Sequence, residues 1–139
     1  MKRAKTIFEK IIDREIPGHI IYEDDMVIAF LDIAPVHAGH TLVVPKKWSR
    51  NMLDMSDQDR DAVFKVAQKV ARALKDELGA DGVNLIMNNE PAAGQIVFHS
   101  HIHVIPRYEG DGLGHWQKNP NYSPDQADGI AEKIKARLS

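Results

Sequence analysis

Within "QIVFHSHIHVIPR", Gln95 to Arg107, three of the chain's seven histidines occupy alternate positions: His99, His101 and His103. Imidazole suits two kinds of chemistry. It binds metals, and it attacks phosphorus without first becoming an anion, because one nitrogen of the neutral ring always carries a lone pair. In a strand, alternate residues share a face, so the three rings fall together while Ser100, Ile102 and Val104 take the other face. The apolar set predicts packing against a core helix, which turns the histidine face toward a cleft, a partner or solvent.

Three readings of the row compete. For a metal, a rise of about 3.4 Å per residue sets the outer Cα atoms roughly 13–14 Å apart. Metal–nitrogen bonds are about 2 Å, so one ion shared by all three is awkward. Two neighbours could share an ion with His40 or His37, but downstream no carboxylate occurs before Glu109. A plain strand with imidazoles bonded to backbone or water is the second reading. Phosphate chemistry is the third: one histidine attacks while its neighbours bind phosphate oxygens or handle a proton. The preceding loop suits it, since Gly94 permits close backbone approach and Gln95 offers an amide.

The elements that must position these residues follow from periodicity. "TIFEKIIDR" (6–14) places Ile7, Phe8, Ile11 and Ile12 at helical spacing, ended by Pro17-Gly18. "HIIYEDD" and "MVIAFLDI" read as a hairpin, and "HTLVVP" (His40–Pro45) as a third strand after a Pro35–Gly39 loop. Residues 56–78 form a long helix, with Ser56 and Asp59 resembling a capping box and Gly79 as the stop. Its apolar stripe is Val63, Val66, Ala67, Val70, Leu74 and Leu78. "GVNLIMN" and "IVFHSHIHVIPR" are the last strands, and a helix begins at Ser123-Pro124, with apolar residues Ala127, Ile130, Ala131, Ile134 and Leu138. Short connections predict an antiparallel sheet with helices on one side, hence α+β, in one domain over 1–139.

Composition narrows the function. With 43% hydrophobic and 27% charged residues among 139, the chain is ordinary globular protein. A net charge of −2 offers no basic face for nucleic acid. The absence of cysteine excludes disulfides, thiolate metal sites and a cysteine nucleophile. Glu9, Lys10 and the run Asp13–Glu15 interrupt any signal-like apolar segment, and no run reaches membrane-span length. The expectation is a soluble cytoplasmic protein with no membrane partner.

"HSHIHVI" resembles the histidine triad (HIT) motif, and the likeness extends beyond it. "TIFEKIIDREIPGHIIYEDDMVIAFLDIAPVHAGHTLVVPKKW" and "GVNLIMNNEPAAGQIVFHSHIHVIPR" resemble the two halves of the histidine triad nucleotide-binding proteins, the phosphoramidase-like branch, over about residues 6–108. The resemblance implies a HIT-like fold: a five-stranded antiparallel sheet, one long central helix, and short N-terminal and C-terminal helices, with 109–139 as a less well matched tail. It also implies a hydrolase or transferase cleaving nucleoside monophosphate–X bonds in AMP derivatives. Candidates for X are an amine, a second nucleotide's phosphate or an aminoacyl group.

By motif position His101 is the nucleophile and forms a nucleotidyl-histidine. The backbone carbonyl near His99 orients it, His103 and Gln95 contact phosphate or leaving group, and His40 supports the triad. Asp32 is the ribose acceptor, Ile33 lies against the base, and Asn88 is near the phosphate. Ile7, Phe8, Ile11, Phe30 and Leu42 line the base slot. The resemblance further implies a homodimer joined through the long helix and a strand. Trp116 then either packs on its own domain or reaches the partner's active site.

Three departures from the pattern matter. Thr6, Glu9 and Trp48 stand where many bacterial relatives carry zinc ligands that act with the first triad histidine, so no metal or cofactor is expected. Ser100 replaces an apolar residue, with looser packing behind the strand as the expected result. Ile96 replaces a hydroxyl residue that could assist the leaving group. The alternative readings are a nucleotide-binding regulatory module with little catalysis and a His-x-His metalloprotein.

Overall fold

The computed structural model describes residues 2–114 and 116–139. Its elements run α1 (Ile7–Ile12), β1 (Ile20–Glu23), β2 (Val27–Leu31), β3 (Thr41–Pro45), α2 (Asp57–Leu78), β4 (Gly82–Ile86), β5 (Ile102–Arg107) and α3 (Ala127–Leu138). The strands form one antiparallel sheet in the order β1-β2-β3-β5-β4. Among the described residues no helix is long and apolar enough to cross a membrane.

Local chemistry explains the boundaries. In the β1–β2 turn, Asp24 Oδ1 accepts the N–H groups of Met26 and Val27, both at 2.8 Å. Helix α2 starts where Ser56 Oγ accepts Asp59 N–H, so one half of the expected capping box forms. It stops at Gly79, which takes the left-handed conformation at φ 68°.

Both faces of the sheet are covered, which corrects the expectation of helices on one side. Val63, Val66, Ala67, Val70 and Leu74 of α2 pack on Val27, Ala29, Val43, Ile102 and Val104. Phe8 and Ile11 of α1 pack on the alternate set, Ile28, Phe30, Leu42 and Val44. A central strand apolar at every position, such as "VIAF", serves two cores at once. Helix α1 can do this although short because its capping box closes: Glu9 N–H donates to Thr6 Oγ1 and Thr6 N–H to Glu9 Oε1.

The long final strand read from the sequence is shortened to Ile102–Arg107, so His99 and His101 precede it. Pairing of β3 with β5 spans Thr41↔Val104 to Val43↔Ile102 and goes no further. Pro45 has no N–H to extend the ladder, and its carbonyl accepts a hydrogen bond from the His99 ring instead. Helix α3 follows a 3-10 turn over Pro124–Gln126, and its Ile130, Ile134 and Leu138 are exposed.

Candidate active site

A cleft of about 430 Å³ opens between α1 and the sheet, within the usual range for small-molecule sites. Its floor is Phe8, Ile11, Phe30 and Leu42, all buried, and Ile7 and Ile33 form the rim. Each of these was assigned to nucleotide binding from the sequence. Ile16, Pro17, Gly18, Leu31 and Val97 also line it and were missed, since an aliphatic residue carries no local mark distinguishing cleft from core. Phe8 is edge-on to Phe30, with centroids 5.5 Å apart, and to His101, at 4.9 Å.

At the cleft's polar end the hydrogen-bond partners settle the imidazole protons. His101 Nδ1 lies 2.6 Å from the His99 carbonyl, which can only accept, so Nδ1 carries the hydrogen and Nε2 keeps the lone pair. His40 is ordered the other way. Val36 N–H donates to His40 Nδ1 at 3.1 Å, so Nε2 holds the proton and donates to His103 Nδ1 at 2.9 Å. His103 Nε2 therefore bears N–H. Two neighbouring rings, 5.0 Å apart and both lining the cleft, thus differ: His101 keeps a basic nitrogen and His103 a donor.

Burial lowers the pKa of all four histidines, His40, His99, His101 and His103, and is the largest cause in each. For His101 the bond to the His99 carbonyl opposes the shift and the charge of His103 adds to it. The rings are neutral at pH 7, as the proton assignment requires.

His99 is the exception to the shared histidine face. Its ring is fully buried beneath α1, with Nε2 donating to Pro45 O at 2.8 Å and Nδ1 2.9 Å from Thr6 Oγ1. It touches the cleft only through what its carbonyl does to His101.

Asp32 lines the cleft with Oδ1 accepting Ala34 N–H at 2.8 Å and Oδ2 3.5 Å from His40 Nε2. Asn88 lines it opposite Gly94, whose φ of 90° calls for glycine. Gln95 needs reassignment. Its Nε2 donates to Arg50 O and Val97 O, and its Oε1 accepts from Glu90 N and Asn51 Nδ2. The amide is saturated by the protein and staples the 88–95 loop, so it is no free donor for a phosphate. Ile96, 86% exposed at the rim, brings no hydroxyl.

Ser100 does not loosen the packing. It is buried, accepts from Ser49 Oγ at 2.6 Å and donates to Ser49 O at 3.1 Å. Trp116 is 88% exposed, which rules out packing on its own domain. His37, outside the cleft, pairs with Asp111 at 3.0 Å.

Two places invite a metal. Thr6, Glu9, Trp48 and His99 are poor zinc ligands: the indole has no lone pair to give and donates to Phe98 O, and both His99 nitrogens are engaged. Arg3 binds the Glu9 carboxylate and lies 4.0 Å over the Trp48 ring, placing a cation there instead. Ligand atoms of Asp32, His40 and His103 lie within 4.8 Å of one another. There the facing nitrogens of the two histidines share a proton, which an ion would have to displace.

The chain is similar to known proteins in sequence and in fold. The HIT domain matches residues 13–110. The protein Hit of Bacillus subtilis is 44% identical over 136 residues, 96% of this chain and 94% of that protein. A HIT family protein from Bacillus anthracis superposes with a TM-score of 0.88 at 40% identity, covering 99% of this chain and 100% of that one. The adenylylsulfatase HINT3 of Arabidopsis thaliana is 39% identical over 107 residues, 77% of this chain and 54% of that protein.

Proposed function

Because the chain belongs to the HIT-domain family of nucleotide-binding hydrolases, we propose that it cleaves nucleoside monophosphate–X bonds through a covalent intermediate on His101. The observation that carries this reading is the proton arrangement at the cleft: a neutral His101 with its lone pair on Nε2, beside a His103 that presents N–H. The nucleoside occupies the apolar slot, its ribose hydroxyls donating to Asp32, its base against Ile33 and the apolar floor, and Asn88 near the phosphate. A purine such as adenine suits a slot whose walls are apolar and whose floor has an aromatic ring.

His101 Nε2 attacks the α-phosphorus. A P–N bond forms, the P–X bond breaks, and X leaves with its electron pair and takes a proton from solvent. His103 Nε2–H donates to a phosphate oxygen as charge builds there. Water then forms the new P–O bond and gives up a proton to solvent, while the P–N bond returns its pair to His101, releasing the nucleoside monophosphate. Ile96 brings no hydroxyl to the leaving group, so an amine X must take its proton from solvent rather than from that position. An amine is the reading chosen, as in adenosine 5'-phosphoramidate; the Arabidopsis relative is named for action on an adenylyl sulfate.

A homodimer joined through α2 and β4 belongs to the same reading, as does a cytoplasmic location, with which a cysteine-free chain is consistent. The test is turnover of adenosine 5'-phosphoramidate by the native chain and by His101→Ala. The variant is expected to lose at least about a thousandfold in kcat, the order for loss of a nucleophile. Unchanged turnover would remove His101 from that role.

A further inference from the structure

The lone pair of His101 is aimed by a backbone carbonyl, and that carbonyl lies outside any strand, since β5 begins only at Ile102. Something other than the sheet ladder must hold residues 98–100. Trp48 Nε1–H donates to Phe98 O at 2.8 Å, and Ser100 N–H donates to Ser49 O at 2.9 Å. Between them the His99 ring is inserted beneath α1 with a partner at each nitrogen.

Those partners are not equivalent. Pro45 O can only accept, so His99 Nε2 carries the proton. Burial keeps the ring neutral, which leaves a lone pair on Nδ1 with no water to satisfy it. Among the described residues its hydrogen-bond partner is the Thr6 hydroxyl at 2.9 Å. One of its two lone pairs accepts Glu9 N–H at 3.1 Å, and its hydrogen is free to turn toward His99. Thr6 thus has two separable roles: it accepts as the cap of α1 and donates to His99. Serine could do both and aspartate only the first.

We propose that Thr6 is a positioning residue for the reaction: by donating to His99 Nδ1 it pairs the lone pair that the Nε2–H tautomer leaves there, holds the buried ring in its seat and so fixes the carbonyl that aims His101 with its lone pair on Nε2. The effect on rate rests on the hydrolase reading above; the effect on tautomers does not.

The test uses the full chain with Thr6→Ser, Thr6→Asp and Thr6→Ala. Nitrogen-15 spectra of the imidazoles read the tautomers of His99 and His101, and steady-state kinetics with adenosine 5'-phosphoramidate read kcat and KM. The serine variant is expected to keep both native tautomers and a kcat within about twofold of native. Aspartate, which can only accept, is expected to draw a proton onto His99 Nδ1; alanine is expected to leave Nδ1 unpaired and shift its nitrogen-15 signal, with Nε2–H still held by Pro45 O; both are expected to lower kcat about tenfold or more with little change in KM. A native His99 spectrum in the aspartate variant would overturn the proposal, because the cap alone would then suffice; so would a native Nδ1 signal with native kcat in alanine, which carries the test if aspartate prevents folding. A native chain inactive on every nucleotide tried would sink the hydrolase reading, while the spectra would still decide the role of Thr6.

Discussion

His40 illustrates how a single residue can set the protonation of another. Its Nδ1 is occupied by Val36 N–H, so Nε2 must donate to His103, and His103 must then present N–H to the cleft. His40→Phe keeps a ring of similar size but removes both contacts. It is expected to lower kcat by about ten- to a hundredfold, the usual cost of losing a group that orients a functional histidine; an unchanged kcat would show that His103 needs no such partner. The same neutrality requirement predicts the acid limb of the rate. His101 must be unprotonated to attack, and burial places its pKa below the ordinary 6.5. The acid limb of the single-turnover rate should therefore have its midpoint below pH 6.5; a midpoint above 6.5 would mean another group controls the step.

At the scale of elements, the loop from Pro35 to Gly39 must turn sharply enough to deliver His40 to the head of β3. Gly39 permits this at φ 98°, and a Cβ there would lie 2.5 Å from Leu78 Cδ1 and 3.1 Å from Leu74 Cδ2. Gly79 is also left-handed, at φ 68°, but has open space around it. Gly39→Ala should therefore cost about 2–4 kcal/mol, strain plus overpacking, against about 1 for Gly79→Ala. Urea denaturation of the pair measures the difference, and equal costs would show that Leu78 yields freely. Helix α2, its caps and its apolar stripe were legible because period and end signals are local. The shortened β5 was not, since its start depends on Pro45, more than fifty residues earlier in the chain.

At the scale of the whole molecule, β4 and one face of α2 offer apolar surface to a partner. Strand β4 is an edge of the sheet, with Leu85 and Ile86 exposed, and Phe64 of α2 is exposed as well. An apolar edge with open hydrogen-bonding groups invites a second strand. With the proposed dimer through α2 and β4, Phe64→Glu is expected to shift sedimentation from dimer to monomer; a native-like dimer would place the contact elsewhere. Acid stability is also a property of the whole. His40, His99, His101 and His103 all have folded pKa values below the unfolded 6.5. The unfolded chain then binds more protons as pH falls through 6.5, so stability is full above that value and declines below it. Melting temperature measured from pH 8 down to 5 checks the sign, and a rise on acidification would contradict it.

The alternating histidines, the amphipathic period of α2 and the two-sided apolar run of β2 are local patterns, so the sequence alone determined the elements, the α+β class and the residues to suspect. Resemblance to a family supplied the roles of His101 and His40. Only the tertiary structure decided that His99 lies beneath α1 rather than in the cleft, that the Gln95 amide is saturated, and that α1 covers the second face of the sheet. These outcomes turn on which distant donor meets which acceptor: Pro45 O with His99, Arg50 O with Gln95, Thr6 with His99. Side-chain spacing determines which residues share a face, whereas hydrogen-bond partners, set by contacts distant in sequence, determine where each proton rests.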